Sequence, residues 1–314
     1  MATYQTYTAI GQREDLSDVI YNISPTDTPM MSSIGKTKAT ATYHEWQTDA
    51  LAAAALGGAV EGADASSITA APTSRIGNRT QIFTKSVAVA GTLEAVDKAG
   101  RKSEKAYQLA KVSSELKRNI ELTLLSNQVS AAGNSSTART MGGLQTWLST
   151  NGDFGTSGVT GSGGTTARTD GTNRTFTETI LKTVVAEVYT AGGMPKVLMV
   201  SPAQKQVVSG FAGIAAQRFQ APSDGPTTIV GAADVYMSDF GTISIVPNRL
   251  MNSTNAASEV AFLMDPDMFA VAYLRPFETI ELAKTGDSEK TQLLAELTLE
   301  VKNEASSGII ADLS

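Results

Sequence analysis

The sequence predicts an α+β protein, and three observations carry the prediction. Strand-prone stretches rich in Thr, Tyr and Trp come before the first strong helical periodicity instead of alternating with it. One long stretch then carries apolar residues at a spacing of three and four. The second half mixes short helices and short strands and closes on a ten-residue strand pattern in which Leu293, Ala295, Leu297, Leu299 and Val301 stand at every second position.

The 314 residues suffice for a large core. Residues 1–38 read as an N-terminal arm, polar and broken by proline, with one helical candidate at Leu16, Val19, Ile20 and Ile23. A segment so poor in apolar residues buries little by itself and is expected to lie along something else. Residues 39–92 read as an extended two-stranded loop. Its first strand is "ATATYHEWQTD" and its second "RTQIFTKSVAVAGT". Between them stand about thirty residues of mostly Ala, Gly and Ser, too long for a structureless connection inside a compact body. An isolated ribbon is marginal in water, so this one needs a partner surface.

Residues 93–140, together with 275–314, are expected to form one domain around a spine helix. The helical pattern runs over 93–129, about 50 Å at 1.5 Å per residue. Its stripe is Leu109, Val112, Leu116, Ile120 and Leu124, and Gly100 moves the start of the regular helix toward Lys102. Residues 141–274 read as a second, α/β domain that includes a Gly-rich loop. Within 131–173 only "MGGLQTWL" interrupts the low complexity, so a mobile loop is expected, with Leu144, Trp147 and Leu148 as its packed anchor. A helix follows over 177–191, then the buried strand "KVLMVS". Ser201, Pro202 and Gln204 then form a capping box. Further strands are expected over 234–239, 242–247, 260–265 and 268–274. At the end, 279–284 pairs with 293–301 across "TGDSEK".

Composition narrows function. A net charge of −6 gives no global basic footprint for nucleic acid, and the absence of cysteine removes disulfides, thiolate nucleophiles and zinc–thiolate sites. No leader pattern opens the sequence and no 18-residue apolar run occurs, which predicts a soluble, cytoplasmically folded chain without membrane contact. The lone His44 lacks a second histidine or a G-x-S-x-G elbow, and "DPD" at Asp265–Asp267 reads as a turn, so neither hydrolysis nor metal binding is expected. "GSGGTT" lacks the G-K-[ST] ending of a phosphate-binding loop. Ser33–Lys36 and Ser114–Lys117 read S-x-x-K, and Lys284–Gly286 reads K-T-G, in the order of serine acyl-enzymes of the penicillin-binding type. "SDF" replaces their S-D-N, however; Ser33 follows a proline elbow, and Ser114 stands mid-helix, where it back-bonds or faces solvent. No catalytic residue, metal or cofactor is expected.

What remains is a body with projections that one subunit cannot satisfy, the mark of an interlocking assembly. "SPTDTPMMSSIGKTKATATYHEWQTDAL" resembles the N-terminal signature of a family of tailed-bacteriophage major capsid proteins, and the order of elements resembles the Hong Kong 97-type capsid fold. The resemblance implies an N-arm, an extended loop, a peripheral domain with a spine helix and an axial α/β domain, on the four spans above. It implies a non-enzymatic shell subunit assembled in a bacterial cytoplasm into an icosahedral virion head around double-stranded DNA. Expected partners are its own copies as pentamers and hexamers, scaffold, portal and decoration proteins, and weakly the DNA. An encapsulin-like nanocompartment shell is the alternative. Intersubunit contacts are expected at Pro25, Pro29, Met30, Met31, Tyr43, Trp46, Ile68, Arg75 and Ile76. Pro25 and Pro29 pre-stiffen a non-helical elbow that anchors the arm on the body, and Met30 and Met31 supply adaptable apolar side chains.

Overall fold

A computed structural model describes residues 27–314 except 55, 59, 63, 65–71, 99, 212–233 and 253–256. The chain enters through a one-turn helix, α1 (Pro29–Ser33), and a short strand, β1 (Gly35–Lys38). A ribbon of β2 (Tyr43–Thr48) and β3 (Ser74–Arg79) follows, then β4 (Gln81–Ala90), the single turn α2 (Gly91–Ala95) and the spine, α3 (Glu104–Leu125). After the loop over 126–173, which holds β5 (Gly152–Asp153), come α4 (Glu178–Thr190), β6 (Val197–Val200) and α5 (Pro202–Ser209). The chain ends with β7 (Val235–Ser238), β8 (Gly241–Pro247), β9 (Ala261–Met264), β10 (Phe269–Leu282), β11 (Ser288–Val301) and β12 (Gly308–Ile310).

Two sheets organise the body. One runs β1-β10-β11-β4, antiparallel except where β1 lies parallel to β10. The other runs β5-β12-β9-β6-β8-β7. The two segments expected separately over 268–274 and 279–284 are one strand, β10. Its register breaks twice between Tyr273 and Glu278, around Pro276, which cannot donate to a ladder.

The α3 stripe explains the first core. Leu116, Ile120 and Leu124 are fully buried against Phe269, Leu297 and Leu299, while Leu109 and Val112 pack half-buried at the near end. The helix is shorter than its periodicity suggests. Gly100 takes φ +73 and breaks it from α2, Ser103 caps the new start by accepting the Ala106 N–H at 3.2 Å, and Ser126 ends it. In the second core α4 lays Leu181, Val184, Val185 and Val188 on Leu198, Val200 and Leu263. The opposite-facing Met199, Phe262 and Met264 join the first core. The continuous apolar run of β6 thus reflects a sheet covered on both faces. Ser201 caps α5 as expected, but Gln204 does not close a box: its amide donates to the Ser314 carbonyl at 3.1 Å.

The Gly-rich loop corrects the expectation of mobility. Met141, Leu144, Trp147 and Leu148 are buried, and the Arg168 side chain is fully enclosed, bonded to Asp312 at 2.7 Å and to Asp170 at 2.5 Å. Gly164, at φ +71, lies so close to the Trp147 indole that a Cβ there would come within 2.6 Å of it. These glycines serve close packing, which composition cannot distinguish from slackness.

Candidate assembly interface

Pro29–Ser33 are helical where a non-helical elbow was expected. Pro29 occupies the first position of α1, which its fixed φ and missing N–H suit. Met30 is fully buried in the first core and Met31 half-buried against it. The Met30 side chain, expected at an intersubunit contact, is therefore enclosed in the core of its own subunit. The Met30 and Met31 N–H groups donate to the two Glu121 carboxylate oxygens at 2.7 and 2.9 Å, so the elbow is fastened to α3. Pro25 and Ile68 lie outside the described residues.

The other four candidates converge on the ribbon, where Trp46 stands opposite Ile76, Gln47 opposite Arg75 and Tyr43 opposite Arg79. Strand alternation sorts them. Trp46 turns inward and packs at 5.5 Å, tilted by 40°, against Trp147, and Ile76 packs half-buried on the same core. Tyr43 and Arg75 are exposed, Tyr43 beneath the Arg79 guanidinium at 5.0 Å and Arg75 2.9 Å from Glu45. The inner pair fixes the ribbon to its own body, and the outer pair is open to a neighbour.

A buried polar root anchors the base of the ribbon. The Asn78 amide donates to the Leu299 and Gly142 carbonyls at 2.9 and 3.1 Å, and its oxygen accepts the Gly142 N–H at 2.8 Å. Thr80 donates to Glu296 at 2.8 Å, and Arg139 and Arg275 bond to the same carboxylate. His44 points inward, 3.3 Å from Glu300, which also accepts the Thr37 hydroxyl at 2.7 Å. The histidine therefore sits in a contact that ties the ribbon to β11. Beyond this root the chain projects Leu51, Leu56 and Val60, all almost wholly exposed. These three were the conspicuous apolar residues of an Ala- and Gly-rich stretch, a signal the sequence offered and the site prediction passed over.

A second exposed apolar cluster was not predicted. Tyr189, Met194, Val235, Met237 and Phe240 are exposed at the β7 edge of the six-stranded sheet, with Tyr189 stacked on Phe240 at 4.5 Å. Val235, Met237 and Phe240 line a cleft of about 570 Å³ together with Tyr236, Glu178 and Lys182. Burial and the Glu178 carboxylate push the Tyr236 phenol up, while Glu178 holds the Lys182 ammonium above its ordinary value.

The chemistry-like motifs resolve into local structure. Ser33 and Ser114 donate to the Pro29 and Ala110 carbonyls, Lys284 pairs with Glu289, and Asp265 and Asp267 form a turn held by Lys196. Among the described residues no cluster of three or more His, Asp or Glu side chains could hold a metal ion, and no helix is long and apolar enough to cross a membrane.

Comparison with known proteins agrees with this architecture. The family model described as SU10 major capsid protein matches residues 2–314. The major capsid protein of Escherichia phage Phieco32 is 28% identical, over 98% of this chain and 96% of that one. The solved Cyanophage A-1(L) capsid asymmetric unit superposes with a TM-score of 0.72 at 15% identity, over 96% of this chain and 97% of that one. The holo-SrpI encapsulin complex from Synechococcus elongatus PCC 7942 superposes at 0.56 and 10% identity, over 100% and 97%. The last two likenesses establish the Hong Kong 97-type fold, which phage capsids and encapsulins share. The family model, spanning the chain from its second residue to its last, decides between them: the chain belongs to the SU10 major capsid protein family.

Proposed function

We propose that this phage capsid subunit tiles an icosahedral head as pentamers and hexamers around packaged double-stranded DNA, after assembly in the host cytoplasm. The observation that supports the reading is the anchored ribbon with a largely exposed apolar end: Leu51, Leu56 and Val60 stand in solvent beyond a root of buried hydrogen bonds. A lone subunit gains nothing from holding apolar groups out on a fixed arm, whereas neighbours related by symmetry bury them. Tyr43 and Arg75 on the outer face of the ribbon, with Pro29 and Met31 at the elbow, are the contacts this assembly would use. Residues 1–38, 39–92, 93–140 with 275–314, and 141–274 are proposed to act as arm, extended loop, peripheral domain and axial domain. A net charge of −6 suits a wall that confines DNA with weak, non-specific contact. Scaffold, portal and decoration proteins are proposed as further partners.

Sedimentation and electron microscopy of the purified chain and of the particles that contain it test the reading. Closed shells with pentameric and hexameric clusters, filled with DNA in the phage, are expected. A chain that stays monomeric at high concentration, or shells loaded with enzyme cargo instead of DNA, would refute it.

A further inference from the structure

The charges of the spine helix are sorted. All three carboxylates of α3 are engaged: Glu104 pairs with Arg101, Glu115 with Lys85 at 2.6 Å, and the buried Glu121 accepts the Met30 and Met31 N–H groups. Of its four cations only Lys105 is paired, with Glu281 and Glu289 at 3.1 and 3.2 Å. Lys111 and Lys117 are exposed. Arg118 is half-buried, and its Nε has no acceptor among the described residues. None of these three is in ion-pair contact with a described carboxylate, and neither are the exposed Lys36 and Lys38 of β1.

These five cations lie together. Lys111 and Arg118 stand two turns apart on one face of α3, about 10 Å along its axis. Lys117 lies about 100° round the helix from Arg118 and shares a cleft with Lys36, and Lys38 follows on the same face of β1. The result is a basic band from the solvent side of α3 to the edge of the four-stranded sheet, on a chain of net charge −6. Among the described residues, Leu122 on α3 and Phe277 in the cleft are the only large apolar side chains exposed along it, 36% and 37%. A protein partner would find little apolar anchor there. Flexible cations spread along a face suit a polyanion of evenly repeated charge.

We propose that this band is the surface the subunit turns toward packaged double-stranded DNA, with Lys111, Lys117 and Arg118 on phosphates and Lys36 and Lys38 at the margin. The assignment rests on the shell reading and adds which face of the subunit is the inner one. Acidic surface elsewhere repels phosphate, so contact is confined to the band and stays weak.

Anisotropy of a fluorescent duplex of about 30 base pairs, titrated with the unassembled full-length subunit between about 25 and about 200 mM NaCl, tests the band. The logarithm of the binding constant should fall with the logarithm of salt at about −0.9 per phosphate engaged, about −2.7 for three. The triple variant Lys111→Gln, Lys117→Gln, Arg118→Gln should lose most of that slope. A matched triple variant, Lys196→Gln, Lys284→Gln, Lys290→Gln, removes the same charge elsewhere and should keep it. Both should still form closed shells by sedimentation. Absence of wild-type binding at the lowest salt, an unchanged slope in the band variant, or an equal loss in the matched one each overturns the proposal. An unchanged slope with lost shells would mark the band as a contact between copies instead. Binding is read before assembly, so it can fail while shells still form, which separates this assignment from the shell reading. If Arg118→Gln impairs folding, Lys111→Gln with Lys117→Gln decides, with an expected loss of about 1.8 in slope.

Discussion

The Arg168–Asp312 pair gives the sharpest test of how the Gly-rich loop is held. Both side chains are fully enclosed, 2.7 Å apart, and Asp312 also accepts the Gly155 N–H at 2.9 Å. Asp312 sits at φ +58, where alanine would add backbone strain, so the clean perturbation is Asp312→Asn. It keeps the shape and the left-handed backbone, removes the charge and turns one of the two acceptor oxygens into a donor facing Arg168 or Gly155. Leaving the partner of a buried ion pair uncompensated costs about 3–5 kcal/mol. The lower end is expected here, because Asp170 stays beside Arg168 although its side chain is 57% exposed. At about 2.1 cal/mol/K of unfolding entropy per residue, that loss lowers the melting temperature by about 5–8 °C. Calorimetry of the unassembled subunit measures it, and protease cleavage within 155–172 should accelerate in parallel. The double variant Arg168→Met with Asp312→Asn should recover more than half of the loss, since no buried charge is then stranded. Strictly additive losses, or a single-variant cost below about 1 kcal/mol, would show that the loop is not held by this pair.

Other expectations follow from the same geometry. Leu56→Ser at the ribbon tip should leave the subunit's melting temperature unchanged, because the side chain is already in water, and should cut shell yield; sedimentation velocity reads the second effect. Leu116→Ala in the spine should do the reverse, with about 2–5 kcal/mol lost from subunit stability by denaturant titration. The Lys85 ammonium, 2.6 Å from Glu115, holds that carboxyl below its ordinary value and ties β4 to α3. A depressed carboxylate stabilises above its unfolded value and loses that stabilisation as pH falls through the folded one. The pair's modest contribution, at most about 1 kcal/mol at these exposures, should therefore vanish below pH 4.5, and Lys85→Met should flatten that part of the acid profile. Deleting residues 1–26 should leave the body folded, whereas deleting 1–38 should unfold it. Met30 and Ile34 belong to the core and β1 to the first sheet, so circular dichroism separates the two truncations.

Much of this protein was legible in its residues. The i, i+4 stripe of α3 is a direct image of one-sided burial, since a side chain that must face a core repeats with its backbone's period, whereas the alternating polar residues Glu296 and Thr298 of β11 are buried as well. The proline-flanked "PTDTP" and the "YHEWQTD" strand pointed to the family before any coordinate was known. Local chemistry also placed the cap at Ser201, where its helix begins. The tertiary structure decided everything that depends on residues far apart in the chain. Whether Met30 is a core residue or a contact turns on Glu121, ninety-one positions away. Whether the glycines of 131–173 mean motion or close packing turns on Trp147 and on Arg168 meeting Asp312. Burial and pairing between distant residues leave no periodic trace in composition, so the sequence could specify the elements while only their packing fixed which surfaces remain for a neighbour.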